Sequence, residues 1–427
     1  MIGAAALVAA LTAALTLPLT AGAALPQQAA PQPETTYRVS GADTPEQRTA
    51  LAARDIDILA AGPGRLEIRA TRAEADQLRA EGLGLTPLAD PASLGPVVPR
   101  PDKVAEFPAG YTGYTNYAEL NTRLAALQAS NPSIVSVSNY GRSFLGRTLP
   151  LVKISDNVGT DEDEPEVLFT CAQHAREHLT VEMCLRIAER LVANYASSTG
   201  STVNSREIWL MPMLNPDGAE FDIASNRFAF WRKNRQPTAG TSAVGTDPNR
   251  NWGYQWGCCG GSSGSPSSDT YRGKSAFSAP ETARVFDWVG SRVVGGRQQI
   301  TSHIDWHTYS ELILWPYGYT SADTAPGLDA DAAATFQALG RAMAQTNGYT
   351  AEQASDLYVT DGGISDWMWA THGIWSYTFE MYPVSQSQGG FYPRDSVIAR
   401  ETARNDAAVD LFLGYADCPT SITGRTC

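Results

Sequence analysis

Histidine is scarce. The 427 residues hold five, and four of them fall in two short stretches, His174-Ala-Arg-Glu177-His178 and His303-Ile-Asp-Trp-His307. Basic charge is also in short supply: Lys and Arg number 32 against 45 Asp and Glu, a net charge of -13, which argues against nucleic acid or an anionic membrane surface as the main partner. Beyond the N-terminal segment no apolar run approaches the roughly 20 residues a membrane-spanning helix requires. No two cysteines stand in a C-x-x-C spacing, which disfavours a closed, cysteine-built structural zinc site. Internal repeats are absent. Charged residues are only 18% against 43% hydrophobic, a composition that folds.

What is present begins with an address. Ile2 to Thr20 is rich in Ala and Leu, and Ala21-Gly22-Ala23 supplies the small residues a signal peptidase needs. Residues 1–23 therefore read as a secretory signal, with an N-terminal anchor as the competing reading. Six cysteines fit the oxidising compartment that secretion implies. Cys418 and Cys427 close a short loop, Cys171 and Cys184 bracket the first histidine stretch, and the adjacent Cys258 and Cys259 pair with each other or stay free.

Two Pro-rich linkers, 25–34 and 87–108, isolate a small αβ unit over about residues 36–90. Within it Arg65 to Ala70 reads as a strand, and 71–81 as a helix capped by Thr71. Signal, small unit (24–105 with its linker) and large domain (106–427) form the layout of a zymogen; an accessory binding module is the alternative. From Tyr114 strands and helices alternate, which predicts an α/β domain with a mixed, mostly parallel central sheet flanked by helices. Glu166 to Cys171 runs toward His174, Ile300 to Trp306 ends at His307, and Ile374 to Phe379 ends at Glu380. All three polar residues thus follow strand C-termini, where open α/β sheets bind ligands. Leu179 to Tyr195 has helical apolar spacing, and Asn215-Pro-Asp-Gly is a turn signal.

His174 and His178 are four apart and could share a helix face, but His174 precedes the helix. His174 with Glu177 suits a strand-to-helix turn, with His307 as a third ligand from a distant strand end. Two imidazoles and one carboxylate hold Zn²⁺ with a position left for water, the catalytic arrangement. His303 lies on the same strand face as His307, deeper in the sheet. His178 and His303 read better as core or surface histidines than as ligands.

Several motifs then occur in one order: His174-Ala-Arg-Glu177, Asn215-Pro-Asp-Gly, Trp231-Arg232-Lys233, Asp247-Pro-Asn249-Arg250-Asn251, His307-Thr-Tyr309, Tyr358 before Gly362-Gly363, and Thr378-Phe-Glu380. Over about residues 106–427 the chain resembles the zinc carboxypeptidases of the carboxypeptidase A type, most closely the secreted bacterial carboxypeptidase T-like branch. The resemblance implies one Zn²⁺ held by His174, Glu177 and His307. It implies Glu380 as general base, Arg232 as oxyanion donor, and Asp247 orienting the first zinc histidine. It further implies that Asn249 and Arg250 grip the substrate's terminal carboxylate, that Arg176 and Tyr309 line the groove, and that Tyr358 closes over the bound end.

Ser365 stands where basic-specific relatives carry aspartate, so a hydrophobic or broad preference is expected; Gly363 replaces the acid of the carboxypeptidase T-like relatives, and Asp361 is a candidate to restore some basic taste. By the same resemblance the acidic run Asp161, Glu162, Glu164 and Glu166, with Glu207, is a candidate Ca²⁺ site, and Tyr114 with Glu119 a weaker one. The reading is a secreted, monomeric metallocarboxypeptidase acting on peptides with a free C-terminus and inhibited by its own propeptide, with activation cleavage between about Pro99 and Glu106. The rivals are a cell-wall peptidase or amidohydrolase and a silent zinc-binding pseudo-peptidase.

Overall fold

A computed structural model of the protein describes residues 33–62, 64–90 and 105–427. The candidate signal segment and most of the candidate activation stretch lie outside these residues. In chain order the strands are β1 (Glu34–Ser40), β2 (Asp57–Gly62), β3 (Arg65–Thr71), β4 (Gly84–Pro87), β5 (Val135–Arg142), β6 (Thr148–Ile154), β7 (Glu166–Cys171), β8 (Glu207–Met211), β9 (Val293–Val294), β10 (Arg297–Gln298), β11 (Ile300–Thr308), β12 (Leu312–Trp315), β13 (Thr350–Gln353) and β14 (Trp375–Met381).

Eight of them form one sheet in the order β13-β12-β14-β11-β7-β8-β6-β5. The four central strands β14, β11, β7 and β8 are mutually parallel, while β12, β6 and β5 enter antiparallel. The mixed, mostly parallel sheet expected from the sequence is thus observed. Strand β7 explains why the centre is two-sided. Val167, Phe169 and Cys171 belong to one apolar core and Leu168 to a second, so alternate side chains pack on opposite faces. Helices Leu179–Ala193, Pro280–Ser291, Ala330–Asn347 and Ile364–His372 cover those faces. Asn215-Pro-Asp-Gly, expected as a turn, opens a short helix instead: Asn215 caps Pro216–Asp222 by accepting from the Gly218 amide.

The smaller sheet has the order β2-β3-β1-β4 and is antiparallel throughout. Its two helices, Pro45–Ala52 and Arg72–Ala80, begin at capping boxes on Thr44 and Thr71. This α+β unit packs in one compact body with the large domain. Cys171–Cys184, Cys258–Cys259 and Cys418–Cys427 are all disulfides. No helix among the described residues is long and apolar enough to cross a membrane.

Candidate active site

The parallel strands deliver their C-terminal residues to one place. His174 follows β7, His307 ends β11, and the β11–β14 register puts Glu380 directly beside His307. His174 Nδ1 lies 2.7 Å from one Glu177 oxygen and His307 Nδ1 2.9 Å from the other. The two Nδ1 atoms are 3.1 Å apart. Each far nitrogen meets a buried carboxylate: His174 Nε2 is 3.1 Å from Asp247, and His307 Nε2 is 2.5 Å from Asp305. Asp247 and Asp305 only accept, so each holds a histidine proton at Nε2, which leaves Nδ1 as the lone-pair atom when the imidazole is neutral. With both imidazoles neutral, the two Nδ1 lone pairs and the Glu177 oxygens converge, a donor set that fits a divalent cation of borderline softness such as zinc. Burial pushes the Glu177 carboxyl up, but His174 and His307 outweigh it and hold it well below the usual range. His178 is not part of this cluster; its Nε2 pairs with Asp222 at 2.9 Å.

Asp247 is shared. Its second oxygen accepts from Arg232 Nε at 2.9 Å, and its first also accepts from the Asn249 amide. Burial raises the Asp247 carboxyl, but Arg232 and His174 drive it far down, so it stays ionised. Arg232, Asn249, Arg250, Tyr309, Tyr358, Ser365 and Glu380 line the same cavity as His174 and Glu177. Asn249 Oδ1 accepts from the Ile364 amide, and Arg250 Nε donates to the Gly261 carbonyl, which fixes both side chains. Burial pushes the Glu380 carboxyl up to about 8; His307 opposes the rise and Glu177 adds to it. A half-buried carboxyl poised near neutrality is the character of a general base. Part of the cavity wall carries no charge where Ser365 and Thr378 hydroxyls meet at 3.0 Å, with Asp366 beside them in the lining.

A zinc carboxypeptidase family profile matches residues 120–408. The chain is 54% identical over 419 residues to a zinc carboxypeptidase of Saccharothrix mutabilis subsp. capreolus, covering 96% of this chain and 95% of that one. It belongs to the zinc carboxypeptidase family. Carboxypeptidase A2 of Rattus norvegicus is 34% identical over 275 residues, 64% of this chain and 63% of that one. In fold the chain is similar to carboxypeptidase A from Helicoverpa armigera, with a TM-score of 0.74 and 24% identity over 92% of this chain and 98% of that one. That span takes in the small α+β unit.

In this zinc carboxypeptidase the cleft is covered by that unit. Ile58, Leu59, Ala60 and Ala61 of β2 line the cavity. Arg176 is fully buried, paired with Asp57 of β2 at 3.1 Å and Asp269 at 3.4 Å, and flanked by the Phe230 and Phe391 rings. Tyr309 donates to Glu67 of β3 at 3.0 Å. Arg48 donates to the carbonyls of Asp356 and Leu357, and Thr49 accepts from the Val359 amide, so the Tyr358 segment is held from both sides.

One expectation is corrected. Asp361 does not face the cavity, because its carboxylate accepts from the Cys259 and Gly261 amides and from Ser262. The calcium expectation is not supported: Arg292 pairs with Asp161 and Glu166, and Lys153 with Glu207, whose carboxylate also takes the Glu162 amide. Asp161, Glu166 and Glu207 still bring carboxylate oxygens together around Arg292 and Lys153, and Glu164 stands beside them in a second acidic group with Asp156 and Glu162. In the weaker set, Glu119 closes a capping box with Asn116 and the Tyr114 hydroxyl donates to the Pro393 carbonyl. The sequence reading missed Asp305 and Asp269. Asp305 had a signal, since His303, Asp305 and His307 alternate along one strand face; Asp269, in a Ser-rich loop, had none.

Proposed function

We propose that this protein is a secreted zinc metallocarboxypeptidase made as a zymogen, which removes the C-terminal residue of peptides. The observation that carries the reading is the sharing of one cavity by the His174–Glu177–His307 cluster, Glu380 and the Asn249–Arg250 pair. His174, Glu177 and His307 would hold the zinc. The chemistry zinc supplies when bound is Lewis acidity, which acidifies water and polarises a carbonyl. Glu380 takes the proton of the attacking water and returns it to the leaving amine. Arg232 donates to the developing oxyanion, a contact worth about 3 kcal/mol. Asn249 and Arg250 hold the terminal carboxylate, which restricts cleavage to the last residue. The uncharged wall at Ser365 and the absence of an acid at Gly363 favour hydrophobic or broad preference.

Residues 24–105 act as the propeptide, an inhibitor in place until cleavage, and the mature enzyme works as a monomer. The burial of Arg176 and Tyr309 against Asp57 and Glu67 supports this reading. Three disulfides fit export. Peptides differing only in a free or amidated C-terminus test the activity: the free acid should be cut and the amide spared, whereas equal rates would favour the cell-wall peptidase rival. Glu380→Gln should lower kcat by at least about 10³-fold while zinc content stays at one per chain, an outcome no pseudo-peptidase could give.

A further inference from the structure

We propose that Asp305 is a positioning residue for the metal centre, the end of a one-way hydrogen-bond chain that keeps His307 in the tautomer whose Nδ1 is free to bind zinc. The proposal rests on the assignment of His307 as a ligand. Asp305 is wholly buried in β11, between the apolar Ile304 and Trp306. Its Oδ2 accepts from His307 Nε2 at 2.5 Å and from the Gln173 carboxamide; its Oδ1 accepts from Thr170 Oγ1 at 2.5 Å. Thr170 has one proton and spends it on Asp305, so it must accept from His303 Nε2 at 2.9 Å. His303 Nδ1 is then left to accept from Ser376 at 2.8 Å. Gln173 cannot turn, because its oxygen is taken by the Trp252 indole N–H. Every proton from Ser376 to Asp305 thus points one way.

The direction matters because His307 has a second suitor. Asn249 Nδ2 lies 3.4 Å from the same Nε2. Were that amide to donate there, the histidine proton would move to Nδ1 and the ligand atom would be lost. Asp305 decides the contest. It differs from Asp247, which fixes His174 but is bound to Arg232 on the cleft side. Asp305 is instead anchored in the sheet.

A carboxamide can stand in only by reversing the chain. In the Asp305→Asn variant the new amide would keep its oxygen toward His307 and Gln173 and donate to Thr170, which would donate to His303. This gives a test that separates positioning from mere sheet cohesion. Zinc dissociation constants are measured by chelator competition, alongside the melting temperature of the metal-free protein. Asp305→Ala should weaken zinc 10–100-fold. Asp305→Asn and Thr170→Val should each cost at most a few-fold, and the double variant should exceed the product of the two, because valine blocks the reversal. This cycle holds even where Asp305→Ala does not fold. Zinc affinity unmoved in the Asp305 variants while metal-free stability falls, or effects that simply multiply, would overturn the proposal. His307→Ala separates the two levels: zinc retained there would overturn the ligand assignment itself, whereas zinc lost there but unmoved in the Asp305 variants would overturn the chain alone.

Discussion

Asp366 shows how a single buried acid can tune the cavity. It follows Ser365 in the first turn of the helix Ile364–His372 and accepts from the Gly318 and Tyr319 amides at 2.9–3.2 Å. Burial pushes its carboxyl up to about 7, with those two amides opposing the rise. An unfolded Asp titrates near 4. Between these values the folded protein keeps a proton that the unfolded chain gives up, so stability falls as pH rises through about 4 to 7. Asp366→Asn keeps an oxygen for both amides and removes the titration. Relative to the parent it should gain stability between pH 5 and pH 8, by about 2–3 kcal/mol. Urea unfolding at the two pH values checks this, and a pH-independent difference would refute it. The residue scale is also where sequence reading is weakest. Asp361 and Asp366 lie five apart on one segment, yet one pins the Cys258–Cys259 loop and the other lines the cavity. Only the backbone path between them decides.

At the scale of elements, strand ends carried the legible part of the site. A run such as Glu166 to Cys171 announces a buried parallel strand, and its C-terminal end predicts where His174 must stand. The β11–β14 register that sets Glu380 beside His307 follows from the same logic. What β2 does was not legible, because nothing local in Asp57 to Gly62 says which surface it will cover. Its edge role is testable. Asp57 supplies half of the acidic partnership of Arg176, and breaking such a buried charged contact costs roughly 1–3 kcal/mol. In the uncleaved chain Asp57→Asn should therefore raise residual peptidase activity about 10-fold and hasten activation cleavage. Activity unchanged from the parent would mean that the apolar segment 58–61 blocks the cleft unaided.

For the whole molecule, the metal cluster and the N-terminal unit are linked through the same cleft. His174, Glu177 and His307 are each less than 4% exposed, beneath β2. A ligand bound only by the native state stabilises it by about 4 kcal/mol at a thousandfold excess over its dissociation constant. Stripping zinc should accordingly lower the melting temperature of either form by about 5–10 °C, restored by adding zinc back. The rate of stripping should differ between forms. On the zymogen reading proposed above, a chelator should reach the cluster through the open cavity of the cleaved enzyme, whereas in the uncleaved chain it must await separation of β2 from the cleft. That separation breaks the Asp57–Arg176 pair and the Glu67–Tyr309 hydrogen bond together. Zinc loss, followed by a chromogenic chelator, should thus be at least about 10-fold slower before cleavage than after, and Asp57→Asn should close part of that gap. Equal rates in both forms would show that the N-terminal unit leaves the metal path open, and that inhibition acts on the substrate's path alone.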